Sequence, residues 1–333
     1  MKKFINDPFD FVEELTEGII KAHGDYYRAD KGDLRIIVRQ DAPIKCKVAI
    51  ATGGGSGHLP VFMGYVGKGL ADGACIGNVF SSPSAGQMKR VTKAIDGGAG
   101  VLYLYGRYQG DMMNFNSAAE ESIKNGIRVE SVIVSDDVAS APPERHSERR
   151  GVAGIFFAYK IAGAMANEMA SLDEVKRVTQ KAVDNTRSLG IALGPCTIPL
   201  VGKPNFEISD DEMEIGMGIH GEQGVERVKM RTADEIAATL VDRVVNDMPF
   251  VAGDEVAVLV NSLGATPLEE LYVLYRKIDE LLREKGLVLH RPYVGRYACS
   301  MEMQGMSLSL MKLDDELKRL LDAPADSPFF KQF

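Results

Sequence analysis

The chain has 333 residues, 45% of them apolar and 26% charged, enough material for two globular cores or one large one. Its 39 Lys and Arg against 47 Asp and Glu leave a net charge of −8, which argues against nucleic acid as a partner. No run approaches ~18 consecutive apolar residues, and "MKKFINDPFDF" lacks a signal-peptide core, so the expectation is a cytoplasmic protein without a membrane span. Cys46, Cys75, Cys196 and Cys299 form no CxxC pair and are expected as free, mostly buried thiols.

In chain order, Asp7-Pro8 reads as an N-cap with proline at N1, opening a helix that carries Val12, Leu15 and Ile19 at helical spacing. "KVAIAT" (47–52), "ACIGNVF" (74–80), "GVLYLYG" (100–106) and "VESVIVSDDV" (129–138) are short apolar runs that predict buried strands. Helical patterns near 84–97 and 112–125 lie between them. Strands alternating with helices predict a largely parallel sheet with helices on both faces. Two long helices are predicted near 149–170 and 172–188. Beyond "NTRSLG" the pattern changes. "GIALGP", "MEIGMGI", "EVAVLVN", "GLVLHRP" and "MSLSLMKL" predict strands, with helices near 233–246 and 267–285 among them. The expected architecture is an N-terminal three-layer α/β domain over 1–185 and a C-terminal two-layer α+β domain over 186–333.

Polar or glycine-rich segments follow each of the first strands: "TGGGSGH", "GNVFSSPS", "YGRYQGD" and "SDDVAS". Ligands of open α/β sheets bind beyond the carboxyl ends of the strands, so these segments are expected to converge on one crevice. The stretch "ATGGGSGHLP" (51–60) fits a loop that cradles an anion or a polyol and ends in His58. It is a poor dinucleotide fingerprint, because an imidazole stands where the third glycine would let a helix pack on the strand. No segment has the G-x-x-x-x-G-K-[ST] spacing of a P-loop, and no His or Cys spacing suggests a metal. Of five histidines, His58 and His220 are flanked by glycines, which points to a shared site. His23 and His290 fit packed positions, and His146 lies in "ERHSERRG", most simply a solvated loop. The alternative for Arg145, Arg149 and Arg150 in that loop is docking of an acidic partner or a phosphorylated product.

"GGGSGHLPVFMGYVGKGL", "GNVFSSPS", "YQGDMMNFNSAAE", "SDDVA", "RGVAGIFFAYKIAGAMA", "CTIPLVGKPNFEISDDEMEIGMGIHGEQGVER" and "SMEMQGMSLSLMKLDDEL" run in order over nearly the whole chain. Together they resemble the substrate-binding subunit of dihydroxyacetone kinases. The resemblance implies a homodimer in which His220 binds a ketose carbonyl covalently, as a hemiaminal through Nε2. It places Gly55, Ser56, Gly57, His58, Gly106 and Asp111 around the substrate and assigns His58 as general base. From the residues alone, either His58 or Asp111 can accept the proton, and Asp111 can also be read as a helix N-cap. The resemblance further implies that this chain itself binds no cofactor or metal. Mg-ATP, or Mg-ADP as phosphoryl carrier, would sit on a nucleotide-binding DhaL-type subunit, with a phosphotransferase-system DhaM-type protein as a further partner.

Two positions depart from the family pattern. Gly106, with Arg107 beside it, stands where a substrate-reaching lysine is usual, and Asn78 replaces an aspartate. Losing the lysine widens the pocket, and Arg107 is no conservative replacement. The expected substrate is therefore dihydroxyacetone or a four-carbon ketose such as erythrulose. The rival expectation is a dihydroxyacetone-sensing coactivator of the same fold that transfers nothing.

Overall fold

A computed structural model describes residues 2–333. After a first helix, α1 (Phe11–Ala22), six strands build one sheet. They are β1 (Tyr27–Asp30), β2 (Asp33–Arg39), β3 (Ala49–Ser56), β4 (Gly73–Val79), β5 (Val101–Gly106) and β6 (Val129–Val134). Their order is β1-β2-β4-β3-β5-β6, parallel from β4 to β6 and antiparallel at the β1-β2 edge. Helices α2 (Ala85–Ile95) and α3 (Gln109–Lys124) are the crossovers, and α4 (Ile155–Asn167) and α5 (Leu172–Asp184) follow. Six more strands build the second sheet: β7 (Thr186–Gly194), β8 (Glu212–Ile215), β9 (Glu226–Lys229), β10 (Glu255–Ser262), β11 (Val288–Gly295) and β12 (Gln304–Leu313). Its order is β11-β10-β12-β7-β8-β9, and only β10 and β11 run parallel. Helices α6 (Ala233–Asp247) and α7 (Leu268–Glu284) belong to it. Helix α8 (Asp315–Asp322) and a hairpin of β13 (Ala325–Ser327) and β14 (Phe330–Gln332) end the chain.

Alternation along the strands sorts these elements into layers. Ile36, Val38, Ala49, Ala51, Tyr103 and Tyr105 face α2 and α3. Their neighbours Ile37, Ile50, Leu102 and Leu104 face α4 and α5. The same cluster takes in Ala257, Leu259 and Met311 of the second sheet, whose opposite face packs Val256, Val258 and Leu310 on α6 and α7. A three-layer α/β unit is thus stacked on a two-layer α+β unit, and α4 lies between the sheets. Helix α4 is apolar nearly all round, as a doubly covered helix must be. Its Lys160 is buried too, donating to the Ala323 carbonyl, and burial lowers its ammonium to about 8.

The structure corrects several expectations. Gly53, Gly54 and Gly55 are not a loop; they lie within β3, just before its last residue Ser56. They are glycines because neighbours press on that strand. A Cβ on Gly54 would lie 2.2 Å from the Phe62 ring, and one on Gly55 would lie 2.5 Å from the Ser81 nitrogen. Asp7 does not cap α1: its carboxylate accepts from the Phe9 N–H, and the helix begins at Phe11. The helix expected from 149 starts only at Ile155, because the segment before it is tied to Asp136, whose carboxylate accepts from the Val152 and Gly154 N–H groups. Nor is "ERHSERRG" a solvated loop throughout. Arg149 is fully buried in a bidentate pair with Asp247 at 2.6 Å, and Arg150 pairs with Asp137 at 2.8 Å.

Candidate functional site

Four parallel strands deliver their carboxyl ends to one edge of the first sheet, where the chain must turn out and expose polar backbone. After β3, Gly57 takes φ +99°, and a side chain there would also strike the Phe80 ring. That turn swings His58 inward. Phe80, which follows β4, stacks on its imidazole at 4.9 Å. After β5, Tyr108 precedes α3, and Asp111 lies in the first turn of that helix. Asp111 is not the N-cap; that position is Tyr108, whose side chain makes no cap hydrogen bond.

The second sheet supplies the facing wall. His220 sits in the segment between β8 and β9. Gly221 (φ +89°) turns the chain there, and Asn205 and Ser300 hold it by donating to the carbonyls of His220 and Ile219. The His58 and His220 rings meet edge to face with centroids 4.9 Å apart, and Tyr108 approaches His220 at 4.6 Å. Together, Gly55, His58, Gly106, Tyr108, Asp111 and His220 line a narrow cavity of about 20 Å³. Ser56 and Gly57 stand behind this wall rather than in it.

Both histidines have one nitrogen committed. Nδ1 of His58 lies 2.8 Å from the Cys299 carbonyl oxygen, which can only accept, so Nδ1 carries the proton and Nε2 is left with a lone pair. Nδ1 of His220 lies 2.9 Å from Oε1 of Glu222, whose other oxygen accepts from the His220 N–H. Burial would raise the Glu222 carboxyl, but the hydrogen bond and charge of His220 outweigh it and hold it at about 2. Glu222 is therefore a carboxylate that fixes the tautomer with Nε2 free. Burial, seconded by His220, pushes His58 down to about 3, so it is neutral. Burial raises Asp111 to about 6, against the opposing pull of Ser82 and His220.

Hydroxyl or carboxylate atoms buried without partners are rare because each forfeits its hydration. Of eight buried polar side-chain atoms without a partner among the described residues, His58 Nε2, Tyr108 Oη and Asp111 Oδ1 belong to residues lining this cavity, and Ser56 Oγ follows Gly55 of its wall. A larger groove between α6 and α7, lined by Leu193, Met230, Ile236 and Val273, is apolar and has none. Nor do the described residues contain a cluster of three or more His, Cys, Asp or Glu placed to hold a metal ion.

Residues 17–329 match the Dak1 domain. The chain belongs to the Dak1 family. It is 46% identical over 331 residues to the dihydroxyacetone-binding subunit of PTS-dependent dihydroxyacetone kinase 2 of Listeria innocua, and the match covers 99% of each chain. It is 44% identical over 332 residues to a D-erythrulose kinase of Mycolicibacterium smegmatis, covering all of this chain and 57% of that one. The crystal structure of the dihydroxyacetone kinase of C. freundii superposes with a TM-score of 0.89 at 30% identity, covering 99% of this chain and 60% of that one. The chain thus spans the full length of the separate subunit and somewhat over half of the longer kinases.

Sequence reasoning brought His58, Asp111, Gly55, Gly106 and His220 to one place, as expected. It missed Glu222, Tyr108 and Phe80. The signal for Glu222 was present in "GIHGEQG": a carboxylate two residues past a glycine-flanked histidine can fold back on its ring.

Proposed function

We propose that this chain is the ketose-capturing subunit of a dihydroxyacetone-type kinase, a phosphotransferase acting on an alcohol group. One observation carries the reading. An imidazole with Nδ1 tied to a carboxylate and Nε2 free shares a cavity with three unpartnered polar atoms suited to hydroxyl groups, His58 Nε2, Tyr108 Oη and Asp111 Oδ1.

The Nε2 lone pair of His220 adds to the carbonyl carbon, and the π pair moves to the carbonyl oxygen. The oxygen takes a proton from solvent and the Nδ1 proton leaves to solvent by way of Glu222, which ends as the carboxylate it began as, so no net proton is gained and the hemiaminal is an isomer of its two reactants. A simple polyol offers no electrophilic carbon, so capture selects ketoses over glycerol-like alcohols. The adduct then fixes the reacting hydroxyl, which removes most of the orientational freedom of the next step.

In that step a substrate hydroxyl attacks phosphorus and must lose its proton. Asp111, poised at about 6, is matched to accept it near neutral pH, whereas a buried imidazole at about 3 is a weak base. His58 instead accepts a hydrogen bond through Nε2 and orients the hydroxyl. The phosphoryl group comes in trans, from Mg-ATP or Mg-ADP on a DhaL-type subunit, with a DhaM-type protein as its phosphate source where phosphoenolpyruvate drives the system. The same reading makes the protein a cytoplasmic homodimer.

The test is direct. Incubation with a carbonyl-¹³C-labelled ketose is expected to replace the ketone resonance with that of a tetrahedral carbon, and His220→Ala abolishes it. Adding a nucleotide-bearing partner subunit then yields sugar phosphate. A ketone resonance unchanged by the wild-type chain sinks the proposal. Capture without any transfer by a competent partner would turn it into the sensing coactivator.

A further inference from the structure

The chemistry above leaves one wall of the cavity unused. Gly106 ends β5, and a Cβ built on it would lie 3.2 Å from Cε2 of Tyr108 and 3.2 Å from the Gly151 carbonyl oxygen. Any longer side chain at this position would displace the tyrosine ring, because the backbone of Gly151 closes the other direction. Gly106 and the observed place of Tyr108 therefore go together. The ring stands edge-on to His220, with an interplanar angle of 74°. Its hydroxyl is buried and has no hydrogen-bond partner.

That hydroxyl and Oδ1 of Asp111 are both buried without partners, and both residues line the cavity with His220. A ketose on the capturing imidazole therefore meets two polar groups, the Asp111 carboxyl and the Tyr108 phenol. A three-carbon ketose held at its central carbon has one hydroxymethyl group on each side. Placing one at Asp111 leaves the other beside His220, where the Tyr108 ring stands 4.6 Å away. A four-carbon ketose extends that arm by one hydroxylated carbon.

Resting on the ketose-capture reading, we propose that Tyr108 is a specificity-determining residue. Its hydroxyl binds the terminal hydroxyl of a four-carbon ketose anchored on His220, the ring standing where the absence of a side chain at Gly106 lets it. A phenol can donate to that hydroxyl or accept from it, and either contact satisfies a group that water cannot reach.

The experiment compares capture of dihydroxyacetone with capture of D- and L-erythrulose by the full chain, using the dissociation constants of the ¹³C-detected adducts. The wild type is expected to bind one erythrulose enantiomer at least as tightly as dihydroxyacetone. In Tyr108→Phe the erythrulose preference, taken as a ratio to dihydroxyacetone, is expected to fall about tenfold, the effect of one lost hydrogen bond. Gly106→Ala is a second variant that keeps the phenol but displaces it, and the same ratio falls. A ratio unchanged in both variants overturns the proposal, as does a wild type that captures dihydroxyacetone and neither erythrulose. A wild type that captures no ketose overturns the capture reading as well, so the two failures are distinguishable.

Discussion

His58 and His220 face each other across 4.9 Å and share a tautomer, yet their anchors differ. A neutral backbone carbonyl holds His58, in a wall of Phe80 and Phe62 rings. A carboxylate holds His220, whose side chain keeps 23% of its surface open. The carbonyl orients the ring and favours a positive charge on it too little to offset burial, so His58 accepts hydrogen bonds and stays neutral. The carboxylate compensates the charge that develops as Nε2 bonds to carbon. Two identical side chains thereby acquire different chemistry from what touches the nitrogen that faces away from the ligand.

Three substitutions separate these roles. The largest effect belongs to Asp111→Asn, which removes the proton acceptor and is expected to lower kcat by roughly 10²–10⁴-fold while the His220 adduct persists. In the unaltered protein a carboxyl at about 6 is protonated below that pH and cannot accept, so kcat should fall as pH drops through 6. Steady-state rates from pH 5 to 8 check this, and the acid limb should disappear in the Asn variant. Next, Glu222→Gln should weaken ketose capture by about 10–100-fold, the range for a hydrogen bond to a charged group. Adduct titration reads this loss, and capture at full affinity would show that the carboxylate is no more than a structural contact. The smallest effect is expected for His58→Ala, which keeps the adduct and slows transfer roughly three- to tenfold, as for one neutral hydrogen bond. A greater loss of kcat at His58 than at Asp111 would return the base to the imidazole.

The strands β3 to β6 were legible because each contains a short apolar run, as strands of a sheet covered on both faces do. The first two strands were not: Tyr27–Asp30 and Asp33–Arg39 are half-polar, and their pairing carries a register shift at Ala29 and Asp30. Glycines 53 to 55 looked like a flexible loop because sequence carries no trace of the Phe62 ring and the Ser81 backbone that crowd them. Arg149 and Arg150 looked solvated for the same reason, since Asp247 and Asp137 reach them only through the fold. At the site, residues next to a strand end were readable from position. Glu222 and Tyr108 were not, because their roles depend on which ring they meet across the cavity.

Helix α4 is shared property of both sheets: Phe156 and Phe157 rest in one cluster with strand residues of each. Neither half can loosen without uncovering the other's interior. The cavity wall, built partly by one sheet and partly by the other, is therefore held by the cohesion of the whole molecule. Heat that melts either half should dissolve the pocket at the same temperature, with no intermediate in which one half keeps its ligand.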